Sequence, residues 1–167
     1  MADRQVTRLD YIVYHLEGHL IRTCSVLDRA LQLVNVIFCL GVPERECRWG
    51  VIARNSHVRG TPIASALKTI DDATKSLRDQ RNFVVHRGRY SDDALTRIEP
   101  YYVVQRSGDE DITQRFHYLY KRRTDLLIKD KKEELAQSNL LVFSGVSELL
   151  AALEPAFERE YALLQCG

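Results

Sequence analysis

Apolar residues recur at steps of three and four from the start of the chain: Leu9, Ile12 or Val13, Leu16, Leu20, Cys24, Leu27, Leu31, Val34 and Phe38. That spacing lays one continuous stripe along an amphipathic helix. The pattern predicts a helix from about Arg4 to Leu40, stopped by Gly41 with Pro43 just beyond. Pro43-Glu44-Arg45-Glu46 has the signature of a second start, with proline in the first turn and acids at the positive end of the dipole. Trp49, Ile52 and Ala53 give that helix its apolar side, and Asn55-Ser56-His57 ends it.

Thr61-Pro62 supplies the N-cap and first position of a third helix. Ile63, Leu67, Ile70, Thr74, Leu77 and Val84 keep helical spacing, and Arg81 falls in the same stripe. His86 and Arg87 in the last turn, followed by Gly88, mark its end. Ser91-Asp92-Asp93 opens a short helix that Pro100 is expected to interrupt. Ser107-Gly108-Asp109 reads as a turn, with Asp109 or Asp111 capping a helix that carries Ile112, Phe116, Leu119, Leu126 and Leu135 to about Gln137. A last helical segment runs from Asn139 to Leu164, with Pro155 expected to kink or split it. No strand alternation, repeat or linker appears. The expectation is an all-α, up-and-down bundle of four main helices plus short ones, in a single domain over residues 1–167.

Composition narrows this only a little. The chain has 167 residues, 45% hydrophobic and 28% charged, with a formal net charge of +1, so no global field announces a nucleic-acid binder. Charge is unevenly placed: Arg115 to Lys132 carries seven Lys or Arg against two Asp, which reads first as a solvated helix face. No apolar run is expected to reach membrane-spanning length, and no secretory signal is read at the N-terminus. The four cysteines (Cys24, Cys39, Cys47, Cys166) lack zinc-ligand spacing. They read as reduced thiols of a cytoplasmic protein, three of them packed as small apolar residues. His15 and His19 share a helix face but lack identifiable partners, so neither a metal nor another cofactor is expected.

Candidate chemistry concentrates at the end of the third helix, in Ser76-Leu77-Arg78-Asp79-Gln80-Arg81-Asn82-Phe83-Val84-Val85-His86-Arg87-Gly88. Arg78, Asn82 and His86 lie four apart and stack on one face. Arg81 lies roughly 140° around the axis from His86, so the two converge only if the arginine reaches across or a second copy completes the site. A plain structural account also fits. Basic residues favour the negative end of a helix, and Arg81 reads equally as the partner of a carboxylate such as Asp28.

Arg81-Asn82-Phe83-Val84-Val85-His86 resembles the Arg-x4-6-His motif of the HEPN superfamily, in the form with a polar residue directly after the arginine. The long helix before it, including Asp28-Arg29 and Leu33-Val34-Asn35, is similar to the first core helix of stand-alone prokaryotic members. The resemblance implies a bundle that dimerises around two motifs. It also implies metal-independent endoribonuclease activity on single-stranded RNA, as in toxins and defence components held by an antitoxin protein. Other members are inactive binding or assembly modules for a protein or nucleotide partner, and that alternative stays open.

Carried over, Arg81 and His86 are catalytic and Asn82 supports them. An imidazole with an ordinary pKa of about 6.5 exchanges protons near neutrality, and a guanidinium binds two phosphoryl oxygens. Arg78, Arg87 and Arg89 are candidates for flanking phosphates, and Tyr90 reads either as a packed side chain or as a ring for stacking on a base. Where toxins of the family paired with a nucleotidyltransferase carry a tyrosine two residues after the histidine, this chain has Gly88. That puts control by modification at that position in doubt.

Overall fold

The computed structural model describes residues 6–104 and 110–165. Among them there is no strand, as the periodicity predicts. Five α-helices follow in order: α1 Arg8–Ile37, α2 Trp49–Ile52, α3 Pro62–His86, α4 Asp93–Val104 and α5 Glu110–Gln165, with a 3-10 turn at Glu44–Glu46 between α1 and α2.

Several boundaries differ from expectation for identifiable reasons. Helix α1 starts at Arg8, not Arg4, because Thr7 and Asp10 form a reciprocal cap. The Asp10 N–H donates to Thr7 Oγ1 at 3.0 Å, and the Thr7 N–H donates to Asp10 Oδ2 at 3.0 Å. It ends at Ile37. Beyond it Cys39 takes φ 49 and Gly41 φ 67, and the Asn35 side chain exchanges two hydrogen bonds with Val42, at 2.8 and 3.1 Å. Cys39 is therefore exposed, while Cys24 and Cys47 are buried. The predicted second helix becomes the 3-10 turn and the four-residue α2. Pro100, expected to interrupt α4, sits inside it, and the helix runs on to Val104. The expected turn at 107–109 lies outside the described residues.

The largest correction is α5. The break expected between Gln137 and Asn139 is absent, and one helix of 56 residues runs on through Pro155. Ser138-Asn139 carries neither Gly nor Pro, so nothing there forces the backbone out of helical geometry. Uninterrupted, the stretch Thr113–Leu163 is long and apolar enough to cross a membrane by length and composition, contrary to expectation. Part of that apolar surface, at Leu149 and Leu153, lies in a core cluster.

Two compact units divide the chain. The first comprises residues 1–19 and 82–137, the second residues 20–81 and 138–167. The second unit holds one apolar cluster that includes Leu31 and Val34 of α1, Ile52 of α2, Leu67 and Ile70 of α3, and Leu149 and Leu153 of α5. Each such side chain, taken out of water, contributes about 1.5–3 kcal/mol. Trp49 packs against this cluster. Gly145 is required by close approach: a Cβ there would stand 2.8 Å from Ile70 Cγ1 and 3.2 Å from the Ile70 backbone nitrogen.

The first unit buries Leu9, Val13 and Leu16 of α1, Leu95 and Ile98 of α4, and Tyr120 and Leu127 of α5. It is tied further by polar contacts around Asp92. That carboxylate accepts from the Leu95 N–H at 2.8 Å, capping α4, and from the Tyr90 hydroxyl at 3.0 Å. Lys131 pairs with Asp92 at 3.0 Å and with Glu134 at 2.7 Å. The Tyr90 N–H donates to Glu17 at 2.7 Å.

Candidate functional site

Helix α3 is one element of 25 residues, with Thr61 and Pro62 at its start as the sequence predicts. Its buried residues (Ile63, Ala66, Leu67, Ile70 and Thr74) all precede the motif. The end is closed by the Phe83 carbonyl, which accepts from the N–H groups of both Arg87, at 2.8 Å, and Gly88, at 3.1 Å.

In the second unit, the arginines of α3 have different surroundings. Arg78 is engaged: its guanidinium pairs with the Asp71 carboxylate two turns back, and reaches the Asp71 carbonyl at 3.2 Å and Thr74 Oγ1 at 3.3 Å. Arg81 is half-buried, as its place in the apolar stripe implies. It has no ion pair among the described residues, and its Nε is buried without a hydrogen bond there. The carboxylate partner that the structural account requires, Asp28 for instance, is therefore not found for it among the described residues. Its neighbour is a thiol: burial pushes the Cys24 pKa up, and the Arg81 guanidinium, within hydrogen-bonding range, opposes that rise. Cys24 was legible only as an apolar member of the α1 stripe, and the one available signal was a thiol in a line of leucines and valines.

In the first unit, Asn82, His86 and Arg87 are all exposed. They are interleaved with Phe83 and Val85, which are 48% and 49% exposed. Arg89 pairs with Asp10 at 2.8 Å, but both side chains are well exposed, and such a tie is worth about 0–1 kcal/mol. Tyr90 is a packed tyrosine. It is 6% exposed, with its hydroxyl on Asp92, so its ring offers no face on which a base could stack. Burial pushes its hydroxyl pKa up.

The remaining histidines do not add to this group. His15 lies edge-on to Tyr11, with ring centroids 4.2 Å apart. His57 stacks on Phe38 at 6.2 Å. Burial lowers the pKa of His19. His117 is exposed. Among the described residues, no three His, Cys, Asp or Glu side chains gather as metal ligands would.

An all-α chain with an Arg-Asn-x3-His motif closing its third helix defines a HEPN-type protein, and comparison with family models bears this out. The model of the HEPN_Cthe2314-like HEPN family matches residues 1–146, and the chain belongs to that family. No curated protein and no solved structure matches it.

Proposed function

We propose that this protein is a metal-independent endoribonuclease acting on single-stranded RNA, with Arg81, Asn82 and His86 as its reacting and supporting groups. The observation that carries the reading is the state of Arg81. It is a half-buried cation with a buried, unbonded Nε and no carboxylate partner among the described residues. A buried charge is costly unless paired, so the favoured complement is an anion brought from outside, such as an RNA phosphate. His86, exposed at the end of α3, is open to substrate.

RNA carries its own nucleophile. In the proposed reaction His86 accepts the 2′-hydroxyl proton and the 2′ oxygen attacks the adjacent phosphorus. The bond from phosphorus to the 5′ oxygen then breaks, and that oxygen takes up a proton from water, while His86 later releases the proton it accepted. The products are a 2′,3′-cyclic phosphate and a 5′-hydroxyl. Arg81 holds the charge that grows on the phosphoryl oxygens, Asn82 orients the substrate or the imidazole, and Arg87 takes a flanking phosphate. Phe83 and Val85 give the end of α3 an apolar surface suited to a second copy, so two motifs would meet in a homodimer. Toxin or defence activity under an antitoxin protein is the biological setting this reading implies.

The test is cleavage of fluorescent single-stranded RNA in EDTA. Wild type is expected to produce cyclic-phosphate ends, and His86→Ala to lose roughly 10²–10⁴-fold in rate with its mass in solution unchanged. A folded wild-type protein that leaves RNAs of varied sequence intact would instead favour an inactive binding module.

A further inference from the structure

We infer that single-stranded RNA is held on a second surface of the first unit, formed by the outer face of α5 around Arg122 and the neighbouring cleft against α1. The inference rests on the ribonuclease reading and names where its substrate lies.

It begins with the basic run of α5, which the sequence presents as a plain solvated face. The structure divides that run. Arg123 is spent on Tyr101, its guanidinium 4.9 Å from the ring centroid, and Lys131 is locked between Asp92 and Glu134. Lys121, Arg122, Lys129 and Lys132 are exposed, and no ion pair among the described residues holds any of them. The first three line one depression together with Tyr118 and Leu126, and Tyr118 is 61% exposed.

That depression does not end at α5. Asp125, one of the residues lining it, accepts from Arg8 of α1 at 2.6 Å. Arg8 in turn lines a cavity of about 400 Å³ between α1 and α5. Ile12, Leu16, Ile128 and Leu135 make the cavity apolar, and Tyr11, His15 and Lys132 stand at it. Tyr11 is 60% exposed. The surface therefore alternates unpaired cations with accessible rings and an apolar hollow, and Asp125, already bonded to Arg8, is the acid lining it.

The chemistry that fits is a flexible polyanion carrying flat, weakly polar groups. Phosphates follow Lys121, Arg122, Lys129 and Lys132, while bases lie on Tyr118 and at Tyr11 over the cavity. Stacking on aromatic side chains with cations along the backbone is the general mode for single strands. A duplex keeps its bases inside and could use only the charges. An acidic protein has no bases, and would be indifferent to the tyrosines. Meanwhile Arg78 and Tyr90, two of the positions the sequence nominates for RNA, are occupied within the fold.

The experiment is fluorescence anisotropy of a labelled oligouridine of about 12 nucleotides, a length suited to such surfaces. It uses the full chain carrying His86→Ala, in EDTA, so that binding is read without cleavage. Adding Lys121→Ala, Arg122→Ala and Lys129→Ala together is expected to weaken binding at least tenfold. It should also reduce the slope of log K against log salt by about two, at roughly 0.7 for each phosphate no longer neutralised. Tyr118→Leu and Tyr11→Leu are each expected to weaken binding about five- to a hundredfold. Lys75→Ala, an exposed cation of the second unit, should leave it unchanged, and circular dichroism should show each variant folded.

Binding by the triple variant equal to that of its parent overturns the inference. So does a loss matched by Lys75→Ala. Tyrosine variants that bind as the parent does overturn the single-strand assignment. The two readings fail separately: uncut RNA bound on this surface sinks the enzyme and leaves the surface, whereas cleavage untouched by the triple variant sinks the surface and leaves the enzyme.

Discussion

In the second unit Leu67, Ile70, Leu149 and Leu153 are at most 2% exposed and belong to one apolar cluster. In the first unit the corresponding interior is mixed: Leu95 is 1% exposed, but beside it Asp92, Lys131, Tyr90 and Glu134 are joined by hydrogen bonds and ion pairs. Apolar packing is non-directional and tolerates little loss of volume. A polar network fixes side chains in particular orientations, and its strength depends on pH. The exposed part of the motif, Asn82 and His86, and the α5 cations that no ion pair holds among the described residues all belong to the unit whose order is partly electrostatic. Arg81, the one motif residue in the apolar unit, is half-buried.

Emptying the apolar cluster of the second unit is expected to have the largest effect on stability. Leu67→Ala should cost about 2–5 kcal/mol of unfolding free energy, read by urea denaturation. Gly145→Ala should cost about 1–3 kcal/mol, because its Cβ meets Ile70 on both side chain and backbone. A Gly145→Ala protein as stable as wild type would show that α3 and α5 do not approach closely at that point.

Next comes the Asp92 network. Burial raises the Asp92 carboxyl, but the Leu95 N–H, Lys131 and Tyr90 outweigh it and leave the pKa below the usual carboxylate value. A group depressed in the fold gives stability that is present above its unfolded pKa of about 3.9 and lost as pH falls through the folded value. Asp92→Asn should therefore lower stability by about 1–3 kcal/mol at pH 7, and the gap to wild type should close toward pH 2. Hydrogen exchange should place the loss in α4 and the preceding loop. Lys131 gives the opposite arm. Burial lowers its pKa, yet the bonds to Glu134 and Asp92 raise it well above the lysine norm. Its share is complete below about pH 10 and fades only in strong alkali. The smallest effect is Thr7→Ala, which removes one side of the α1 cap for about 1 kcal/mol.

How far the sequence carried depends on the range of the interaction involved. Helix α3 was readable to within a residue or two, because Thr61-Pro62 and Gly88 are local signals. The inward lean of Arg81 followed from its position between Leu77 and Val84. The continuity of α5 was missed because a polar pair at 138–139 suggests a break yet contains no residue that breaks helices. The fates of Arg89 and Tyr90 depend on Asp10 and Glu17, more than seventy positions away, and no local pattern reports such pairs. The Arg78–Asp71 pair was within reach, since seven positions are two helical turns. Sorting the basic run of α5 into engaged and unpaired cations needed Tyr101 and Asp92, which only the fold brings to it.

Arg81, which has no carboxylate partner among the described residues, is proposed to serve an RNA phosphate. The most direct measurement is the rate of RNA cleavage in EDTA by wild type, Arg81→Lys and Arg81→Ala, with unfolding followed in parallel. The account predicts cleavage by wild type, a loss of roughly 10²–10³-fold in Arg81→Ala, and incomplete rescue by lysine, which keeps the charge but not the fork. An Arg81→Ala protein that stays folded and cuts RNA as fast as wild type would contradict it.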